Sequence, residues 1–386
     1  LSKSLGEKNF KKANATASNA AVLYFFSYLV FFILGFTIVR PFYASQIGNA
    51  DQEIMELGIE YLSTVMIFSF GLLAQVFFER LLTSTGRTIF SMTSQLTGAI
   101  TNIILDPIFI FVLNMGVAGA AVATVIGQFC GCALALYFNL KKNHDIRLHF
   151  KGFRPHWKII GQIYAIGLPS VVMVAIGSVM TFCMNKILIA YHSAKETAAT
   201  AFGIYFKLNS FIFMPIFGLN NGVVSIIAYN YGAQHRRRMT ETIKRSTIYA
   251  SCIMLLGMSI FLSIPGTLLK IFDATDTLLA VGVPALRIIS LSFCMAGASI
   301  ALTSAFQALG KSLYSMIISI IRQLVFLVPL AYILARYGAS IGNNDLVWWS
   351  YPIAEIAALT VSLLFFRHMY KTLIAKLPEH GPAISE

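Results

Sequence analysis

Ten long apolar stretches, each bounded by short polar connectors, fill the chain: approximately 15–40, 54–84, 88–113, 117–140, 158–191, 197–230, 237–264, 277–309, 313–336 and 346–372. A helix needs about 20 apolar residues to cross the hydrocarbon core of a bilayer. Each stretch meets that length. A membrane barrel would instead show segments of about ten residues with alternating polarity, and the sequence has none. The pattern predicts an all-α polytopic membrane protein with polar ends at 1–14 and 373–386.

The third stretch departs from pure apolarity. Ser91, Gln95, Gly98, Asn102 and Asp106 recur at steps of three and four residues in SMTSQLTGAITNIILDP. Such spacing lines one helix face. A carboxylate near the middle of a membrane helix costs about 2.5–3.5 kcal/mol on the insertion scale and usually faces a protein interior or a wet cavity. Two readings stand. The stripe packs against neighbours while Asp106 caps a kink at Pro107, or Asp106 is a cation or proton site.

Composition agrees with the pattern. The chain has 386 residues, of which 57% are hydrophobic and 12% charged, with a mean hydropathy of +0.73; soluble domains carry about 25% charged residues. The net charge of +13 is unevenly placed. Twenty of the 29 Lys and Arg lie at one set of helix ends, including Lys3, Lys11, Arg87, Lys141, Arg154, Arg236, Lys311 and Lys371. Four (Arg40, Lys195, Lys270, Arg336) lie at the opposite ends, and five within helices. The positive-inside rule assigns the rich set, and with it both ends of this chain, to the cytoplasm. Basic residues divided among short loops argue against a nucleic-acid partner. The five cysteines all fall in apolar stretches without a CxxC pair, which indicates neither a zinc site nor a disulfide framework. No P-loop, nucleophile motif or histidine ligand spacing is present, so neither an enzyme nor a resident cofactor is expected.

The chain repeats itself. The segment from Gly6, GEKNFKKANATASNAAVLY, is similar to GAQHRRRMTETIKRSTIYA from Gly232. TGRTIFSM around Gly86 is similar to LGKSLYSM around Gly310, and LDP at 105–107 to LVP at 327–329. The offsets are 226, 224 and 222. Both glycine turns fall on the basic side, so the repeats are parallel, related by an axis along the membrane normal. The second repeat holds about 75 residues before Gly232, whereas five precede Gly6. Roughly 70 residues, enough for two spans, are therefore expected ahead of Leu1, making twelve helices in two six-helix repeats, ten of them in this chain. The domains read as an amino-terminal lobe 1–140, a basic linker 141–157, a carboxy-terminal lobe 158–372 and a tail 373–386. Asp106 aligns with Val328 and Asn102 with Leu324. An acid that merely capped the Pro107 kink would be wanted at Pro329 too, which favours an ion site.

Other polar residues within apolar stretches are candidates for a substrate cleft: Gln95, Asn185, Lys207, Asn209 and Glu355. Lys186 and Lys207 could equally snorkel to an interface. Glu355 could pair with Arg287, Arg322 or Lys207. Glu79 and Arg80 read as a local ion pair, and Asn220 and Asn221 as a turn that bonds between helices. The 31 Phe and 14 Met suit a soft, promiscuous cleft and any lipid-facing bundle alike.

The blocks TSTGRTIFSM, TNIILDPIFIF, GVAGAAVATV, GLPS at 167–170, MPIFGLNNGVVSIIAYNYGA at 214–233 and SAFQALGKSLYSM at 304–316 resemble, in order and spacing, the multidrug and toxic compound extrusion (MATE) family. The resemblance covers nearly the whole chain. It implies two six-helix lobes forming a V, alternating access, and export of organic, often cationic, compounds driven by inward flow of sodium or protons. It implies a plasma-membrane (inner-membrane) protein acting as a monomer, and a cation site at Asn102, Asp106 and Thr124, with Asp106 the metal ligand if the ion is sodium. Acids that some members carry on the seventh and tenth helices are replaced here by Ile176 and by LSFCMAGASIALTSAF, so a carboxy-terminal sodium site is not expected. A flippase for lipid-linked oligosaccharides, a related architecture, would want several cleft cations, and these are few. A non-transporting membrane scaffold sits poorly with a repeat that keeps a lone buried acid.

Overall fold

A computed structural model describes residues 1–47, 52–148 and 154–379. Residues 149–153 of the basic linker and the tail beyond 379 lie outside the described residues. The described regular elements are all helical, and the chain divides into two compact units, Leu1–Gly161 and Gln162–Glu386.

The first unit holds α1 (Ser2–Gly6), α2 (Phe10–Thr37), α3 (Val39–Ile47), α4 (Gln52–Ile67), α5 (Phe70–Ser84), α6 (Thr88–Pro107) and α7 (Gly116–Lys142). Helix α8 (Trp157–Tyr191) starts at its end and continues into the second unit. There follow α9 (Lys195–Gly232), α10 (Arg236–Ser263), α11 (Pro265–Lys270), α12 (Asp276–Ser290), α13 (Phe293–Ala308), α14 (Ser312–Ile320), α15 (Val328–Ile341) and α16 (Ser350–Met369). Among the described residues eight helical stretches are long and apolar enough to span a membrane, or ten if each of two bent pairs counts as one span.

Those bends correct the expectation of unbroken helices at 54–84 and 277–309. Helices α4 and α5 meet at 46°, α12 and α13 at 49°. A serine sits at each break. The Ser292 hydroxyl donates to the Ile289 carbonyl at 2.6 Å, a bond of the kind that competes with the helix ladder and bends it. Ser69 occupies the corresponding break. The first long helix also starts earlier than its apolar stretch: the Asn9 side chain accepts from the Lys12 N–H at 3.0 Å, an N-cap that starts the helix in polar sequence. Asn220 and Asn221 lie inside unbroken α9, not in a turn.

Local geometry repeats at the offsets read from the sequence. Gly86 and Gly310 both take positive φ, 79° and 72°. The following residues, Arg87 and Lys311, each donate a 2.8 Å bond back to Leu82 and Phe306. These are glycine C-caps of one type. Lys8 and Gln234, 226 apart, share φ near 54° and 57°. The Asn9→Ser4 and His235→Asn230 backbone bonds beside them are both 2.9 Å.

The units are packed differently inside. The second is filled by large side chains such as Phe202, Phe261, Phe293, Trp348 and Met184. The first relies on small residues: the buried face of α7 is Gly119, Ala121, Ala123, Val125, Gly127, Gly131, Cys132 and Ala135. Small residues let membrane helices approach closely. A Cβ on Gly127 would lie 2.7 Å from the Gly98 carbonyl oxygen, so α6 and α7 touch backbone to backbone there. Outward faces are apolar, with Phe36, Ile103, Phe111, Leu140 and Val174 each exposed, as a lipid-facing surface requires.

Candidate functional site

The contact between α6 and α7 turns the polar stripe of α6 toward α7. Ser91, Ser94 and Gly98 are buried while Ile100, Ile103 and Ile104 face out. Just past the glycine contact, Asn102 Nδ2 donates to Asp106 Oδ1 at 3.0 Å and approaches Thr124 Oγ1 of α7 at 3.4 Å. Thr124 in turn donates to the Ala120 carbonyl at 2.9 Å. All three side chains are half-buried. The structure thus brings together Asn102, Asp106 and Thr124 across two helices. Pro107 follows directly. It lacks an N–H and cannot continue the ladder, and α6 widens there into a π-helical turn over Ile108–Val112, a feature that frequently marks functional sites.

The cluster offers a carboxylate, a hydroxyl and an amide oxygen, hard donors of the kind that hold group I and II cations. In the arrangement seen, the Asn102 amide nitrogen faces the other two. A metal cation would want the amide turned so that Oδ1 faces inward. A proton needs no turn. Among the described residues no group of three or more His, Cys, Asp or Glu is placed to hold a metal ion.

Gln95 is engaged elsewhere. Its Nε2 donates to Glu79 Oε2 at 2.8 Å, and Gln75 Nε2 donates to Glu79 Oε1 at 2.9 Å. Glu79 is buried and clamped by two glutamines. Sequence reasoning missed this trio, although Gln75 and Glu79 are four residues apart on α5.

The second unit contains a cavity of about 550 Å³. Asn209 and Glu355 line it; Arg322, Gln323, Tyr205 and Tyr351 share the wall. Arg322 Nη1 donates to Glu355 Oε1 at 3.3 Å, which selects Arg322 among the three partners considered for Glu355. Arg322 and Gln323 stand in a second π-helical segment, Ile321–Leu327. The spacings Tyr205–Asn209 and Tyr351–Glu355, both four residues, were the available signal for the tyrosines. Lys207 and Lys186 are not on this wall. Each is exposed and lies 5.7 Å from a phenyl ring, Lys207 over Phe272 and Lys186 over Phe182. Asn185 is half-buried on α8, away from this cavity.

Long apolar helices and outward faces suited to lipid define a multi-pass membrane protein, with polar groups gathered at helix irregularities. The family model described as MatE matches residues 1–108 and 169–333. The chain is 30% identical over 364 residues to the multidrug export protein MepA of Staphylococcus haemolyticus strain JCSC1435, covering 92% of this chain and 76% of that protein. It is 26% identical over 373 residues to MepA of Staphylococcus aureus strain NCTC 8325 / PS 47, covering 95% and 79%. It shares its fold with a crystal structure of MATE in complex with MaL6, at a TM-score of 0.89 and 22% identity over 97% of this chain and 83% of that one. A MOP superfamily transporter from Pyrococcus furiosus, whose reversed pocket polarity suggests a different function for it, gives 0.90 and 23% over 96% and 82%. The chain belongs to the MATE family of membrane transporters, which are not enzymes.

Proposed function

We propose that the protein is a multidrug efflux antiporter of the plasma membrane. It exports organic, often cationic, compounds by alternating access, in exchange for sodium ions or protons. The observation that carries this reading is the Asn102–Asp106–Thr124 cluster at the Pro107 irregularity, in a chain similar to two proteins named for multidrug export. We read the two compact units as the two lobes, both chain ends as cytoplasmic, and the working form as a monomer. No cofactor enters the cycle.

The chemistry follows from the cost of a charge in the membrane. A bare Asp106 carboxylate is expensive among apolar helices. A bound cation or proton offsets that cost, so the two states of the site differ in net charge and favour different helix arrangements. A ligand shifts a conformational equilibrium only by its differential affinity for the two states. Asp106 supplies that difference for the ion. Asn102 and Thr124 orient it and, for sodium, contribute neutral oxygens.

Efflux of a fluorescent drug from proteoliposomes under imposed sodium or proton gradients tests the reading. Transport under at least one gradient is expected. Thr124→Val is expected to weaken a sodium-driven rate and to spare a proton-driven one. No gradient-dependent efflux of any organic compound would contradict the proposal.

A further inference from the structure

The Arg322–Glu355 pair is incomplete as a salt bridge. A guanidinium and a carboxylate can join by two parallel hydrogen bonds. Here one bond of 3.3 Å is made. The second carboxylate oxygen, Oε2, is buried with no protein partner, although Glu355 as a whole is only 8% exposed. Arg322 keeps about a quarter of its side chain exposed, on the wall of the cavity that Glu355 also lines. A buried acceptor without a partner is costly, and each such group in a folded protein calls for an explanation. The backbone here is itself irregular, a π-helical segment over Ile321–Leu327.

The rest of the cavity says what could complete the pair. Its volume, about 550 Å³, lies within the range of small-molecule sites, roughly 300–1,000 Å³. Its wall is rich in aromatic rings and methionine, among them Tyr205, Phe206, Phe213 and Met180. Such a wall suits a flat aromatic body. The charges at one end are already balanced. A lone organic cation against Glu355 would leave the site with a net positive charge in apolar surroundings, and a lone anion against Arg322 a net negative one. Either imbalance is unfavourable away from water. A ligand carrying both charges keeps the sum at zero, gives the carboxylate a donor and gives the guanidinium an acceptor.

We infer that the cavity of the second unit binds aromatic ampholytes, with an ammonium group against Glu355, an acidic group against Arg322, and the ring system among Tyr205, Phe206 and Phe213. The inference rests on the reading of the protein as an exporter of organic compounds and names the class that this cavity prefers. Tyr205 and Tyr351 back the acid end: their rings pack 5.9 Å apart, and the Tyr205 hydroxyl reaches Asn209 Oδ1 at 3.4 Å.

Three dansyl compounds with one fluorophore separate the charge classes: ε-dansyl-lysine, an ampholyte; dansylcadaverine, a cation; and dansyl-aminohexanoate, an anion. Binding to the full chain in detergent is read by the emission shift, with no ion gradient. The ampholyte is expected to bind most tightly. Glu355→Gln is expected to weaken it by roughly tenfold or more, the scale of a charged hydrogen bond, and to leave the anion unaffected or tighter. The doubly neutral variant R322Q/E355Q keeps the side-chain shapes without leaving one charge buried alone. It is expected to erase the preference among the three probes, and serves where a single variant is not monodisperse. No saturable binding of ε-dansyl-lysine, equal or tighter binding of dansylcadaverine, or a preference unchanged in both variants would overturn the inference. Because no gradient is applied, failure of the efflux reading appears separately, as ampholyte binding without transport.

Discussion

Asn102 and Asp106 stand one helical turn apart and are joined by a 3.0 Å hydrogen bond from amide to carboxylate, directly before the proline that ends α6. The same amide is 3.4 Å from Thr124 on the neighbouring helix. Asp106 is half-buried, and the partner that bonds its carboxylate is a neutral amide. Its half-buried position comes from the backbone contact of Gly98 with Gly127 one turn earlier. The site therefore depends on the absence of two side chains as much as on the presence of three.

That dependence is testable at Gly127. An added methyl would meet the Gly98 carbonyl oxygen at 2.7 Å and the Asn102 Cβ at 3.1 Å. Overpacking of this kind costs about 1–3 kcal/mol. Gly127→Ala is expected to lower the thermal midpoint of the purified protein. Gly203→Ala, where a Cβ meets nothing within 4 Å, is expected to leave it unchanged or slightly raised. Equal midpoints for the two variants would show that α6 and α7 have room to move apart.

His192, in the turn between α8 and α9, predicts a pH dependence. Burial holds its pKa below the ordinary histidine value, with Asp345 opposing. Its Nδ1 accepts from the Ala194 N–H at 3.1 Å, which requires the neutral ring. Because the folded value is depressed, the unfolded chain takes up the proton first as pH falls. The stability tied to neutral His192 is present above about pH 6.5 and is lost as pH drops through the folded value. Between about pH 7.5 and 5 the thermal midpoint is expected to fall, and to fall less in His192→Asn, whose Oδ1 can accept the same bond. A fall of the same size in both proteins would remove His192 from the account.

Arg87 hydrogen-bonds Asn143 at 3.2 Å and pairs with Asp145, and the Arg147 N–H reaches Asn14 at 2.9 Å. In the second unit, Asn344 bonds Ser193 at 2.6 Å. Exposed His144 and Ser340 are suitable reporters for the two sides; Asn143 itself is buried. With the five native cysteines replaced, Ser340→Cys is expected to react with an impermeant reagent added to intact cells, and His144→Cys to react only after permeabilisation. The reverse pattern would invert the topology.

Much of this was legible in the sequence because membrane helices announce themselves by length and apolarity. Repeat offsets could be read because Gly86 and Gly310 are needed where φ is positive. Asn102 and Asp106 could be grouped by helical spacing alone, whereas Thr124 entered through family resemblance. The bends at Ser69 and Ser292 were not legible, since serine bends a helix only in some contexts and no proline marks either break. Nor was the clamp on Glu79: its second glutamine, Gln95, lies on another helix, and spacing along one chain segment does not report contacts between segments. The choice of Arg322 over Arg287 and Lys207 as the partner of Glu355 likewise required the packing of α16 against the π-helical segment.

The central claim is that Asp106 carries the driving ion. Asp106→Asn keeps the shape and fixes the uncharged form, so it should insert at least as readily as the parent, given the cost of a charge in the membrane. Drug efflux from proteoliposomes under an imposed sodium or proton gradient is the most direct measurement. The account predicts that gradient-driven efflux collapses in Asp106→Asn while the protein remains folded and membrane-inserted. Efflux at the parental rate under both gradients would contradict it, and would leave Asp106 as a cap on the α6 kink.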